Sequence, residues 1–308
     1  NYESAIEAYE EILAIAEFPG YRARILYQTA ETERLAGQTQ AAYERMQTLI
    51  ATYPEEPPAY QALLTLVETG VPVDEMLRGK VDYYAGAYGP AVEAFYRIIL
   101  NDPDHEGAPH YYAGLSYLEA NSFELALSEF NTLIDTHPDD PYVPLGWTGK
   151  AKTLATQGQV EAAVEAYTTM VELYPEHPKA PDALWNAAGL REESQDFDAA
   201  VELLIDLATR YPESERAPEA HFRAGLQAYR SGELDDARAI WSDLTDVHPE
   251  DDRAQAARFW IGKTHLEAGE TLSATHALSQ AVAVDPWTFY GLQAKDALTG
   301  DSDFKPND

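Results

Sequence analysis

The stretch APEAHFRAGLQAYRSGELDDARAIWSDLTDVHP, residues 217–249, decides the fold. It holds two runs rich in small and apolar residues, parted by Gly232 and closed by Pro249. Glycine accepts the left-handed backbone that ends helices. Proline cannot donate the next helical hydrogen bond. The stretch therefore predicts two antiparallel helices, one ending at Gly232 and the other at Pro249.

The same arrangement recurs along the chain. Helix-closing prolines stand at Pro54, Pro103, Pro138, Pro175, Pro212, Pro249 and Pro286, with gaps of 49, 35, 37, 37, 37 and 37 residues. Twelve residues before each is alanine: Ala42, Ala91, Ala126, Ala163, Ala200, Ala237 and Ala274. Twenty-four before is always small: Ala30, Gly79, Gly114, Ala151, Ala188, Gly225 and Gly262. Eight before is bulky: Met46, Phe95, Phe130, Tyr167, Leu204, Trp241 and Leu278. Seventeen before is Gly or Asn in every copy except that of Gln195. Small residues let two backbones approach, and the bulky column fills the groove between them. Each pair leaves an apolar face for its neighbour, so stability is shared along a stack.

This pattern resembles the tetratricopeptide repeat, whose small, small, bulky and proline positions recur at similar offsets. The resemblance implies an all-α, tetratricopeptide-like α-solenoid: a right-handed superhelix of antiparallel helix pairs. Here the period is about 37, and the extra residues fall in connectors such as His137–Pro144 and Tyr211–Pro218. Proline in the first turn of the following helix is well placed. The expected organisation is one solenoid over residues 1–299, with 300–308 as a linker or tail rich in Asp, Asn and Pro.

Two irregularities interrupt the period. Tyr2–Ala16 reads as the second helix of a pair without its first, which suggests a trimmed start. The 49-residue gap predicts an additional helix around residues 58–87. Its Pro58–Thr69 and Val73–Ala87 segments flank a turn at Gly70–Asp74.

Composition narrows the function. The 308 residues carry 21 Lys+Arg against 53 Asp+Glu, a formal charge of −32, and no cysteine. Thiol nucleophiles, disulfides and Cys-ligated metals are excluded. Nucleic acid and anionic membranes are disfavoured as partners, because both need a basic footprint. No apolar run is long enough to span a bilayer. The absence of cysteine fits an oxidising compartment. The chain opens on Asn1 without a leader pattern, the expected result of a removed targeting segment or a trimmed start.

A finer resemblance lies near the C-terminus. Ala256-Ala-Arg-Phe-Trp-Ile-Gly-Lys263, Asp285-Pro286 and Thr288-Phe-Tyr-Gly-Leu-Gln-Ala294 are similar to the end of the helical region of bacterial soluble lytic transglycosylases. Leu77-Arg-Gly-Lys80, Tyr83–Gly86, Tyr88 and Ala91 resemble a helix pair of the same region. The resemblance implies the non-catalytic part of a peptidoglycan-cleaving enzyme of the periplasm or cell envelope, with a catalytic domain beyond Asp308. The Glu-Ser pairs Glu3-Ser4 and Glu193-Ser194 lack the family's surroundings, so no catalytic residue is carried over. The competing expectation is a stand-alone envelope adaptor that binds protein or peptide partners.

No phosphate loop or HExxH motif occurs. No cofactor and no metal are expected. His137, His177 and His248 stand beside closing prolines and are read as exposed turn residues. Asp102, Asp104 and His105 lack the glycine and distal glutamate of a calcium loop. Glu192-Glu193 and Glu250-Asp251-Asp252 are read as solvated acids. The aromatics Tyr27, Tyr111, Trp185, Phe222 and Phe259 share one column and are read as core. Lys80, Lys152 and Lys263, three of only seven lysines, share another. With Tyr112, Asn186, Trp260, Arg223 and Arg230 they form the candidate concave-face binding set, suited to a carboxylate-bearing partner.

Overall fold

A computed structural model describes residues 1–299 as seventeen α-helices, and no strand occurs among them. The expected tail at 300–308 lies outside the described residues. The helices are α1 (Tyr2–Ile15), α2 (Pro19–Leu35), α3 (Thr39–Thr52), α4 (Pro57–Glu68), α5 (Glu75–Tyr84) and α6 (Tyr88–Asn101). There follow α7 (Ala108–Glu119), α8 (Phe123–Thr136), α9 (Val143–Thr156), α10 (Val160–Leu173), α11 (Ala180–Glu193) and α12 (Phe197–Arg210). The last five are α13 (Ala217–Ser231), α14 (Leu234–Val247), α15 (Asp252–Glu267), α16 (Thr271–Val284) and α17 (Phe289–Thr299). Two compact units are present, Asn1–Thr153 and a second from Leu154 onward.

The period's punctuation acts as its chemistry dictates. The residue before each closing proline is the C-cap of a helix: Tyr53, Asp102, His137, Tyr174, Tyr211, His248 and Asp285. Prolines also occupy the first turns of α2, α4, α7, α11 and α13, where the missing N–H removes no helical bond. The helix-ending column adopts positive φ throughout, Gln195 included, at 62°. Geometry at that position is therefore kept even where the residue type is not.

In the first unit α2 packs on α3, α5 on α6 and α7 on α8; in the second, α11 packs on α12, α13 on α14 and α15 on α16. The small and bulky columns meet inside each pair. A Cβ added at Gly114 would lie 2.7 Å from the Phe130 ring, and one at Gly262 would lie 2.6 Å from Leu278. Gly79 meets Phe95 and Gly225 meets Trp241 in the same way. Phe95, Phe130, Trp241 and Met46 are fully buried. Each such side chain contributes about 1.5–3 kcal/mol by leaving water. Trp241 also donates its indole N–H to the Phe222 carbonyl at 3.2 Å, which satisfies its one polar atom.

The inserted helix is α4. It places Ala59, Ala62, Leu63 and Leu66 into one core with Ala30, Met46, Leu49, Ile50 and Val81. Its successor, α5, is shorter than the sequence suggests and begins at Glu75, because Asp74 caps it by accepting the Leu77 N–H at 2.9 Å. At the start of the chain, Glu33 on α2 binds Arg45 on α3 through two bonds of 3.0 and 2.8 Å, and Glu10 on α1 reaches the same guanidinium at 2.6 Å. The column aromatics Tyr27, Tyr111, Trp185 and Phe222 are half-buried rather than fully enclosed, and only Phe259 is buried.

Candidate functional site

On the first helix of each pair, the positions twenty-six, twenty-three and nineteen before the closing proline stand at i, i+3 and i+7. Helical geometry places these on one stripe. All eight residues of the sequence-derived binding set fall on it. Tyr112, Asn186, Arg223 and Trp260 take the first position, Lys80, Lys152 and Lys263 the second, and Arg230 the third.

Along this stripe neighbouring pairs are joined by polar and cation–π contacts. In the first unit, Lys80 Nζ on α5 lies 5.0 Å from the ring centre of Tyr112 on α7. Lys152 on α9 lies 3.2 Å from Glu119 on α7. Around Lys80 the rings gather into a tyrosine cluster: Tyr83 and Tyr112 are 6.1 Å apart, and Tyr111 and Tyr142 are 5.2 Å apart. Burial pushes the hydroxyls of Tyr83 and Tyr111 up to about 12 and that of Tyr112 higher still, so all three stay protonated donors.

In the second unit Arg223 on α13 stacks 4.2 Å from the Trp185 ring centre on α11 and pairs with Glu192. Gln227 bonds the same carboxylate at 2.8 Å. Arg230 stands 4.6 Å from the Phe197 ring and 3.3 Å from the Gln227 side-chain oxygen. Lys263 is buried, 4.5 Å from the Trp260 ring and 5.4 Å from that of Tyr229. Burial lowers its pKa against the pull of Glu267. Tyr229 donates to Glu267 at 2.6 Å. Asn186 is exposed and bonds the Tyr167 hydroxyl.

Several sequence-based expectations need correcting. Glu192 is not a solvated acid, because Arg223 and Gln227 hold it half-buried. Asp251 caps α15, accepting the Arg253 N–H at 2.9 Å. His137, His177 and His248 are half-buried rather than exposed. Desolvation lowers the pKa of His137 and His177. Asp102 uses its carboxylate on the Asp104 N–H at 3.1 Å, a local turn, whereas His105 turns to His110 and His137. Trp185, Glu192 and Tyr229 were missed as members of the stripe's network. Trp185 and Tyr229 stand about one period before Arg223 and Glu267, and Glu192 stands 31 residues before Arg223, spacings that only three-dimensional stacking makes readable.

Profiles of the tetratricopeptide repeat match residues 148–218 and 222–286, and again residues 24–56 and 110–140. The chain belongs to the tetratricopeptide repeat family. The segment bearing α4 falls between the matched stretches of this tetratricopeptide protein. Among solved structures it is similar to the C-terminal part of a tetratricopeptide repeat protein from Cytophaga hutchinsonii. That likeness has 11% identity and a TM-score of 0.58, covering 82% of this chain and 98% of the other. It is also similar to the apo form of RapI, with 12% identity, a TM-score of 0.53, and 97% and 94% coverage. Both likenesses concern the fold. No curated protein sequence matches the chain. Among the described residues no helix is long and apolar enough to cross a membrane.

Proposed function

We propose that this tetratricopeptide chain is a scaffold that binds a protein or peptide partner along the stripe of its first helices. The carrying observation is that in each unit a column lysine lies against aromatic rings: Lys80 over Tyr112 in the first, and Lys263 over Trp260 and Tyr229 in the second. Lys80 over Tyr112, within the tyrosine cluster, fits a peptide carboxylate: the ammonium supplies charge and the protonated phenols supply hydrogen bonds. Tyrosine and arginine at such a surface are the residue types that dominate binding energy. Against a net charge of −32 these few cations mark where an anionic group is tolerated.

The test uses fluorescent peptides carrying either a free or an amidated C-terminus. Free-carboxylate peptides should bind more tightly, and Lys80→Ala together with Tyr112→Ala should weaken binding at least tenfold. Equal affinity for the two peptide forms, or no change in the variant, would sink the reading.

A second reading places the chain as the accessory helical region of an envelope lytic transglycosylase. It positions a catalytic domain outside this chain on peptidoglycan. Its support is the residue resemblance at Phe259–Lys263 and Tyr290–Ala294. In the structure these residues pack α17 onto α15: Phe259 and Tyr290 stack with ring centres 5.6 Å apart, and a Cβ at Gly291 would strike the Asp285 carbonyl. Co-sedimentation with purified sacculi distinguishes the two readings.

A further inference from the structure

The first unit gathers three histidines at one rim. His105 lies in the connector after α6, His110 in the first turn of α7, and His137 caps the end of α8. The start of a first helix and the end of its antiparallel partner are neighbours, which explains why residues 27 positions apart meet. One ring nitrogen of each lies within 4.8 Å of the others. Ring centres stand 5.0, 5.0 and 5.6 Å apart.

The hydrogen bonds around these rings leave nitrogens available for coordination. His110 is buried, and its Nδ1 lies 2.6 Å from Glu129 Oε2 on α8. Its Nε2 is then the nitrogen left to coordinate. A carboxylate that receives the far N–H of a metal-binding imidazole is the usual supporting arrangement for such a ligand. His105 Nδ1 lies 2.9 Å from the Glu106 carbonyl, which likewise reserves Nε2. Glu129 is only 6 % exposed, and its other oxygen takes the Tyr96 hydroxyl. A buried carboxylate of this kind calls for nearby positive charge. His137 and Glu106 also line an open cavity of about 450 Å³.

The repeat provides an internal comparison. His221 and His248 occupy the columns of His110 and His137 three periods later, with ring centres 6.2 Å apart. There Arg216 replaces the third histidine and Ile240 replaces the glutamate. His221 Nδ1 and His248 Nε2 have no hydrogen-bond partner.

We propose that His105, His110 and His137 form a binding site for a first-row divalent metal ion, zinc(II) foremost, with Glu129 orienting His110. Three imidazoles and an open position suit zinc, copper or nickel and disfavour magnesium and calcium. Tetrahedral zinc at about 2.1 Å from each nitrogen needs the three atoms about 3.4 Å apart. Side-chain rotation of the half-buried His105 and His137 supplies the closure. Bound metal would pin the α6–α7 connector to the end of α8.

The test titrates the whole chain, stripped with chelator, with zinc(II) by calorimetry in excess magnesium, which occupies non-specific carboxylates. Cobalt(II) absorption reports the geometry. One zinc per chain and a tetrahedral cobalt spectrum are expected. His105→Gln in the connector and His137→Gln at the C-cap of α8 should each weaken binding at least tenfold. Glu129→Gln should weaken it about 10–100-fold, and His248→Gln should leave it unchanged. Circular dichroism checks that each variant is folded. Zinc binding that magnesium abolishes, or that survives the His105→Gln/His137→Gln double substitution, would overturn the proposal.

Discussion

Gly114→Ala and Gly189→Ala are the same chemical change in the middle of two equivalent helices, yet the packing predicts opposite outcomes. In an unobstructed helix interior the added methyl stabilises by about 1 kcal/mol. A Cβ at Gly189 meets nothing within 4 Å, so that gain should be realised. At Gly114 the methyl would lie 2.7–2.9 Å from three atoms of the Phe130 ring, where carbon atoms prefer about 3.5–4.0 Å. The ring has no retreat, because the same face-to-backbone contact exists on Gly149 of α9, where a Cβ would stand 2.5 Å away. Overpacking of this kind costs about 1–3 kcal/mol, and the pinned ring points to the upper end. The net expectation is a loss of about 1–2 kcal/mol for Gly114→Ala. Urea unfolding followed by circular dichroism reads both variants. Phe130→Leu in the Gly114→Ala background should recover part of the loss. A Gly114→Ala protein as stable as the parent would refute the account of the small column as a steric seat.

Two further predictions follow from single residues. Gln195 holds a left-handed φ of 62°, so Gln195→Gly should raise the urea midpoint by about 1 kcal/mol equivalent; a fall would show that its side chain stabilises the turn. Asp82 is buried on α5, its Oδ2 without a hydrogen bond and 3.9 Å from Arg78 Nε, and burial pushes its pKa up to about 6 despite Arg78 and Arg97. A carboxyl whose folded pKa is raised binds its proton more tightly when folded, so ionisation above pH 6 costs stability, and the cost fades as pH falls towards 4. Asp82→Asn should therefore stabilise by about 1–2 kcal/mol at pH 8, solvent beside Arg78 and Arg97 screening the remainder. The gain should shrink through pH 6 to 4; a pH-independent difference would contradict the assignment.

The fold was legible because repetition lets each column be read several times. The alanines twelve before each proline and the caps one before it are local facts, and local facts survive without coordinates. The eight candidate residues share a stripe for a similar reason, since columns three and seven residues apart lie on one helix face. What sequence did not yield was the partner across the groove. Glu192 resembled any other surface acid until stacking brought α13 against α11 and set Arg223 upon it. The grouping of the histidines is hidden for a related reason. Sequence sets His137 beside a closing proline and His105 beside Asp102 and Asp104, whereas His105, His110 and His137 belong to segments that only antiparallel pairing unites. A duplicated clue existed, because the 27-residue spacing recurs in His221 and His248.

The seating of each bulky side chain on the small residue of its own hairpin also limits how such a protein can diversify. Phe95, Phe130, Trp241 and Leu278 sit on glycine, whereas Met46, Tyr167 and Leu204 have alanine in the partner column. A duplicated hairpin thus inherits a matched couple, and recombination between copies preserves it when both helices travel together. Crossing over at the turn between them would set a ring seated on glycine, such as Phe130, against an alanine, the same clash that Gly114→Ala would create. The heritable module of this chain is therefore the whole hairpin, with junctions favoured at the proline connectors and disfavoured at the turns within.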